Sequence, residues 1–511
     1  MAYVFVDISK KQEFIFKSNK LKQNIYNSYL IRTLTEYNES YSNEEISLVK
    51  FANEHNGKNY FCGGGNSILI FDDTQKADDF IKSYSRKVLE YYPDIELYMS
   101  KIEADNITSA EIKNKLEIEC DKLKEKRKSR FRKISFGIEK LDSETGYPLQ
   151  NQKLTREKLA KARKELEIIL YGKVLNDSND DKIDDSKEDK LKVKLTYELG
   201  DYKKEESSYI GIICLDGNRM GELVRNIEDK NNIEKLGKTI EGIYKEAIQS
   251  YVKDINNNVQ KNIEENNGNM TNENMYITPV IMAGDDVCLI TEASRAINAA
   301  KEIINNIEKI SSRDELLQDM YKERQILKAC AGVVIVKAGY PFFDAYQRAE
   351  KVCEKAKGLS KQFDDDISLI DWEIIEGANI TRNNFEDITK KNEKYHIKPL
   401  AITEKEYSIT KDKEHCIMSY DKFKNIISKI RDNTQISSSL LKEIQYLIYS
   451  GEDNYKTQLT NSSKEVNELY EAIDDKESED NEICIEKGIL NYQKDKIYLL
   501  NDIIDSLKYF E

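Results

Sequence analysis

Residues 277–293 read ITPVIMAGDDVCLITEA, and no other stretch limits the possible folds as much. Two apolar runs with β character flank Gly284, Asp285 and Asp286, the pattern of a tight β-hairpin with adjacent carboxylates at its tip. Near the N-terminus, NYFCGGGNSILIFDD has the same form. Laying one hairpin on the other sets Gly64 against Gly284 and Gly65-Asn66 against Asp285-Asp286. Hairpin turns favour Gly and Asp for conformational reasons alone. Two neighbouring negative charges nevertheless repel each other and add nothing to a core, so the second tip asks for a counter-charge.

Each hairpin sits in the same succession of elements. From about 209 to 377 the order is a strand YIGIICLDG, helical sequence including IEKLGKTIEGIYKEAIQSYV, the hairpin, a helix EASRAINAAKEIINNIEKI, a strand ACAGVVIVKAG, a helix FFDAYQRAEKVCEKAKGL and a strand SLIDWEIIEG. The N-terminal segment runs YVFVDIS, ending near Asp7, then KLKQNIYNSYLIRTLTEY, the hairpin, KADDFIKSYSRKVLEYY and IELYMSKIEA. Strands alternating with helices around an antiparallel hairpin predict an α+β chain of two ferredoxin-like palms. The first palm is expected over 1–110 and the second over 206–378, with a helical connector at 111–205 between them. Patterns such as SLLKEIQYLIYSG and KIYLLNDIIDSLKYF predict a helical C-terminal domain over 379–511. Within the connector, NDSNDDKIDDSKEDK (176–190) has no apolar period and reads as a disordered loop.

Composition excludes several classes of function. The chain has 511 residues, 39% hydrophobic and 34% charged. No apolar run reaches the length of a membrane span, and MAYVFVDISKKQEF lacks the features of a signal peptide; a cytoplasmic location is expected. Eight cysteines are scattered singly without a CxxC pair, which argues against a zinc ribbon or a disulfide framework. Three widely separated histidines do not suggest a His-rich centre. A net charge of −14 argues against non-specific nucleic-acid binding by the whole surface. One local exception, KLKEKRKSRFRK (122–133), is either a solvated helix face or a contact to RNA or an acidic partner.

The remaining chemistry lies in carboxylates. Asp216 ends the first strand of the second palm, and Asp285 and Asp286 occupy the turn between its next two strands. A ferredoxin-like sheet brings these positions to one edge. Hard oxygen ligands suit Mg²⁺ or Mn²⁺, and two such ions could orient a triphosphate, activate a ribose hydroxyl and stabilise leaving pyrophosphate. Gly284 permits close backbone approach to phosphate; Gly217 and Asn218 join it as candidate nucleotide contacts. Lys355 and Lys357 are candidate triphosphate contacts, although positions two apart on a helix point in different directions. A conformational turn and a solvated helix face stand as the plain alternatives.

At these residues the chain resembles the large, polymerase/cyclase-like subunit of type III CRISPR effector complexes, nearer the Cmr branch. The likeness rests on DISKKQEFIFKSNKL, LDGNRMGELV, MAGDDVCLI, AGVVIVKAGYPFFDAYQRAEKVCEKAK and SLIDWEIIEG, which occur in family order. The same palm is similar, more distantly, to GGDEF-type nucleotide cyclases. The resemblance implies two palms facing each other around nucleotides, with the second polymerising ATP into cyclic oligoadenylate messengers when target RNA is bound. It matches Asp285 and Asp286 to the turn carboxylates, Asp216 to the first-strand metal ligand and Gly284 to the second glycine of the turn. Gly64, Gly65 and Asn66 match the non-catalytic copy, which binds the acceptor: a second ATP or, in some nuclease-lacking members, S-adenosylmethionine. Partner subunits are expected to supply most contacts to guide and target RNA.

There are departures. Ala283 replaces the usual first glycine, and Asn218 stands where many versions have Asp. No His-Asp nuclease domain is expected, since the first palm begins at Tyr3, and no four-cysteine zinc module is expected either, with SETGYP near the latter's place. Ala283 and Asn218 favour a catalytically silent scaffold that binds nucleotide or RNA. A stand-alone GGDEF-like cyclase using GTP is the third reading.

Overall fold

The first strand, β1 (Ala2–Ser9), is buried along nearly all its length because it lies inside a sheet rather than at its edge. The structure, a computed structural model, describes residues 1–104, 109–126, 138, 154–174, 192–203, 208–225, 230–265, 274–320, 326–375, 396–433, 436–450, 455, 464–474, 483–493 and 495–510. The acidic tract at 176–190, SETGYP and all but the start of the cationic run fall outside these residues.

After β1 come α1 (Lys11–Ile15), α2 (Leu21–Thr35) and α3 (Leu48–Glu54), then the hairpin β2 (Lys58–Gly63) and β3 (Asn66–Phe71). The helix α4 (Thr74–Tyr91) and strand β4 (Glu96–Glu103) complete a sheet of order β2-β3-β1-β4, with every neighbouring pair antiparallel. This is the ferredoxin-like arrangement. The helix α4 is started by Asp73, whose side chain accepts from the Gln75 N–H.

The helices α5 (Ser109–Lys126) and α6 (Arg156–Tyr171) and the short β5 (Val193–Lys194) lead into β6 (Tyr209–Gly217). Then follow α7 (Met220–Arg225), the long α8 (Lys230–Glu265), the hairpin β7 (Met275–Ala283) and β8 (Asp286–Glu292), α9 (Ala293–Ser311), α10 (Glu315–Met320) and β9 (Ala329–Lys337). The strands β7-β8-β6-β9 repeat the first sheet's order and antiparallel pairing. Helix α9 buries Ala296, Ile297, Ala300, Ile303, Ile304 and Ile307, a stripe at three- and four-residue spacing. Past β9, α11 (Phe342–Ser360) crosses to β10 (Ser368–Ile374), which runs parallel to β9; β11 (Leu400–Ile402) extends that edge, and β5 extends the other beside β7.

The repeat goes further than element order. Val6 faces Ser67 where Leu215 faces Val287, so Asp7 is the counterpart of Asp216. Lys10 and Arg219, just beyond, both hold left-handed backbone, at φ 57° and 51°. The register slips between Asn59 and Phe61 in one hairpin and between Pro279 and Ile281 in the other. Helix α5, expected in the connector, packs on β4 and β1 as α11 packs on β9 and β6. Their sequences carry Cys-Asp-Lys-Leu-Lys at 120–124 and Cys-Glu-Lys-Ala-Lys at 353–357, with both cysteines buried. The duplicated unit is therefore βαββαβα and runs through Lys126.

The two units pack head to head, with α2 of the first against β7 of the second and α8 of the second against β2 of the first. Between them Arg32 on α2, almost fully buried, bonds Glu36 at 3.1 Å, Glu241 of α8 at 2.9 Å and Glu165 of α6. Burial pushes the Glu36 carboxyl up against the pull of Arg32. Burial opposes ionisation of Glu241 too, but Arg32 and Lys245 together hold it below the usual carboxylate range.

In the C-terminal region strands accompany the expected helices. The helices α12 (Tyr420–Asp432), α13 (Ser438–Ser450), α14 (Lys464–Ile473) and α15 (Leu499–Ser506) are present. Two small antiparallel sheets accompany them: β12 (Tyr407–Ile409) with β13 (Cys416–Met418), and β14 (Ile483–Glu486), β15 (Ile489–Tyr492) and β16 (Asp495–Tyr498). Ile483 and Ile485 are buried and Cys484 and Glu486 exposed, a period of two over only four residues. Lys487 and Gly488 turn the chain with positive φ. KIYLLNDIIDSLKYF thus begins as strand and turns helical at Leu499. Against the second palm, Trp372 packs on Phe423 and Phe510 and donates its indole N–H to Ser506 at 2.9 Å.

Arg32 is the shared counter-charge of three carboxylates, Glu36 just past the end of α2 and Glu165 and Glu241 on α6 and α8, and its removal leaves them facing one another. Chemical denaturation of Arg32→Met is expected to show a loss of about 3–5 kcal/mol. An unchanged unfolding midpoint would mean that this cluster does not tie the palms together.

Candidate functional site

Strand alternation decides where the carboxylates meet. Leu215 opposes Val287 across the β6–β8 pair, so Asp216 and Asp286 follow as the next opposed positions on one face. Asp285 sits beside them in the two-residue turn closed by Ala283 and Asp286. Oxygens from Asp216, Asp285 and Asp286 lie within 4.8 Å of one another. Gly284 opens the turn at φ +69°, where a side chain would be strained. Ala283 needs no such freedom: it ends β7 in the ladder, so its methyl group fits where the resemblance led us to expect glycine.

The cluster is electrostatically uncomfortable. Asp286 opens toward the cleft between the palms, yet protein surrounds it on most sides. Burial first, then the charges of its two neighbours, push its carboxyl up to about 7. The same causes, burial before the Asp216 charge, push Asp285 up to about 6, although the Gly217 N–H donates to it. Among the described residues one cation answers: Lys357 Nζ lies 2.5 Å from Asp216 Oδ2. Three carboxylates against one ammonium form a hard, oxygen-only donor set with negative charge to spare. Asp216, Asp285 and Asp286 thus fit a divalent ion of the Mg²⁺ or Mn²⁺ type.

The other sequence candidates divide. Lys355, two residues from Lys357, is turned by the helical period onto Asp371 of β10 at 2.9 Å, away from the cluster. Asn218 is also turned into the protein, where its amide Nδ2 donates to Ser360 Oγ, Asp366 Oδ1 and the Ile367 carbonyl, each at 3.0 Å. Gly217 contributes through its backbone, and a side chain there would collide with Met220 and crowd the Tyr244 hydroxyl. Gly64, Gly65 and Asn66 form the facing tip, so close that a side chain on Gly284 would come within 3.0 Å of the Gly64 nitrogen. Gly64, Gly65, Ala283, Asp286, Lys11 and Tyr346 line a cleft of about 310 Å³ between the palms.

Two further groups belong to the site. Tyr244 of α8 is completely buried, and its hydroxyl has no hydrogen-bond partner among the described residues. Burial and the charges of Asp285, Asp216 and Asp286 keep that phenol protonated, leaving an unspent donor beside the carboxylates. Glu350 of α11 shares a smaller pocket with Asp216 and Asp286 and accepts from the Tyr346 hydroxyl at 2.6 Å. Burial pushes its carboxyl up as well. Tyr346, Glu350, Cys353 and Lys357 fall on one helix face by their spacing, a signal present in the sequence. Nothing local marks Tyr244.

Comparison with known proteins bears on the fold that carries these residues. Residues 209–363 match the family model of Cas10/Cmr2, second palm domain. No curated protein matches the chain. Among solved structures, a chain of a Csm1–Csm4 cassette in complex with one ATP is 12% identical with a TM-score of 0.51, covering 100% of this chain and 70% of that one. The cassette in complex with pppApA is 11% identical with a TM-score of 0.50, covering 100% and 69%. In the cassette with AMPPNP the match spans only 54% of the relative's length, at a TM-score of 0.42. At such identities the likeness is one of fold, and it covers both palms.

A divalent ion held by Asp285 and Asp286 would compete with protons. Because both carboxyls are raised, lowering the pH through 7 and 6 returns protons to them and would expel such an ion. Mn²⁺ affinity by calorimetry is expected to fall about tenfold or more between pH 8 and pH 6. A pH-independent affinity over that interval would place the ion elsewhere.

Proposed function

We propose that this chain is a Cas10-like nucleotidyltransferase subunit that makes an adenylate second messenger in type III CRISPR antiviral signalling. The observation that carries the reading is the convergence of Asp216, Asp285 and Asp286 at a hairpin tip that faces a second, carboxylate-free tip across a cleft. The similar cassettes solved with one ATP and with pppApA support it, since pppApA contains one adenylate joined to a triphosphate-bearing adenosine.

In this reading Asp216, Asp285 and Asp286 hold Mg²⁺ or Mn²⁺, which when bound neutralises the triphosphate and acidifies an attacking hydroxyl. Lys357 supplies an ammonium to phosphate oxygens from beside Asp216. The Gly284 turn lets the backbone approach the phosphates, and the Gly64-Gly65-Asn66 tip receives the acceptor. The acceptor oxygen bonds to the α-phosphorus of ATP, the bond to the bridging oxygen breaks, pyrophosphate leaves and the hydroxyl proton is lost.

The acceptor is a second ATP, giving cyclic oligoadenylate, or S-adenosylmethionine, giving its AMP conjugate. The motif resemblance supports a reading nearer the Cmr branch, while the similar cassettes are of the Csm1–Csm4 kind. Other type III subunits are its partners and bring guide and target RNA, in keeping with a net charge of −14. Among the described residues no helix is long and apolar enough to cross a membrane.

Incubation with ATP and Mn²⁺, with guide and target RNA present, is expected to release pyrophosphate and form a new adenylate product. Asp285→Ala combined with Asp286→Ala should lower the rate at least a thousandfold. Undiminished product from that variant would end the proposal. A parallel reaction containing S-adenosylmethionine identifies the acceptor by the mass of the product.

A further inference from the structure

The first palm holds the same site with three residues exchanged. Asp7 stands for Asp216, and Lys124 of α5 reaches its Oδ2 at 2.9 Å as Lys357 of α11 reaches Asp216 Oδ2. Gly65 stands for Asp285 and Asn66 for Asp286, so two carboxylates are gone. Lys11 stands for Met220, four residues after the strand aspartate in each copy. Its Nζ lies 3.0 Å from Asp7 Oδ1, 3.0 Å from the Gly65 carbonyl oxygen and 2.5 Å from Asn66 Oδ1. These oxygens come from β1, the turn and β3, the elements whose counterparts supply the second palm's acidic cluster. An ammonium has three N–H groups, and here each has an oxygen.

We infer that Lys11 is a tethered replacement for the metal: its ammonium fills, in the first palm, the place that a divalent ion fills in the second. The first palm is thus a cation site that needs no ion, and it presents fixed positive charge to the cleft. The contrast in electrostatics agrees. Burial acts to raise Asp7, but Lys11 and Lys124 outweigh it and hold its carboxyl below the usual range, whereas Asp285 and Asp286 are pushed up. A casual surface pair does not draw three oxygens from three elements onto one partly buried ammonium.

The inference rests on the proposed function only in naming the ion of the second palm, and the test separates the two. In the Asp285→Ala, Asp286→Ala background the second palm is disabled, and Mn²⁺ counting by electron paramagnetic resonance is expected to find no tight site. Adding Lys11→Met with Asn66→Asp should create one tightly bound Mn²⁺ per chain, in the first palm. No gain, in protein whose melting temperature is retained, overturns the inference.

The reciprocal change, Met220→Lys in the otherwise natural chain, should weaken Mn²⁺ binding at the second palm at least tenfold without metal-free melting being altered. Unchanged affinity in that variant also overturns it. If the natural chain itself binds no Mn²⁺, the proposed function fails, while the first-palm arm still reports on Lys11.

Discussion

Mutual repulsion among Asp216, Asp285 and Asp286 is the constraint around which the rest of the molecule is arranged. A fold selected for stability alone would not place three carboxylates within 4.8 Å with, among the described residues, a single lysine to answer them. Their approach is enforced by the β6–β8 register and a two-residue turn, neither of which can relax without breaking the ladder. The cost is held by the large apolar body behind, where β6, β8 and β9 are buried along most of their length. The strain is local and the support is spread over a whole sheet, as expected of a site kept for chemistry.

Duplication supplies the other half of the arrangement. Two palms of identical strand order meet tip to tip, and each lends its first long helix to the other's hairpin. Such mutual packing fixes the cleft width more firmly than a hinge would, and Arg32 draws α2, α6 and α8 onto one charge at the centre. The copies then diverged in charge while keeping their backbone. The left-handed residue after β1 and β6, the hairpin irregularity and the lysine from the following helix persist in both.

Features set by neighbours in the chain were legible before the structure. Apolar runs on either side of Gly284-Asp285-Asp286 define the hairpin, and a buried-type strand ending at Asp216 places the third carboxylate, because strand composition and turn chemistry act locally. What escaped notice depends on register or on distance. Lys11 gains meaning only once β1 is aligned with β6. The repeated Cys-x-Lys-x-Lys of α5 and α11 was visible as letters, yet unequal spacing from each hairpin concealed its equivalence. Tyr244 reaches the cluster from the middle of a long helix, so only the tertiary fold puts it there. The strands β14 to β16 are four residues each, too short for periodicity to outweigh the helical pattern that follows.

Asn218 shows how a departure from a motif can follow from the fold. An aspartate at this position would present a second carboxylate to Asp366 and to the Ile367 carbonyl oxygen, acceptors with no proton to give. The two N–H bonds of the amide are shared among these acceptors and Ser360. Asn218 therefore joins the end of β6 to the loop between α11 and β10, the loop that follows the helix bearing Lys357. Exchanging a charge for an amide here removes no oxygen from the acidic cluster, because the side chain points the other way. The substitution secures the helix that delivers Lys357 to Asp216, and the acidic site keeps its three carboxylates.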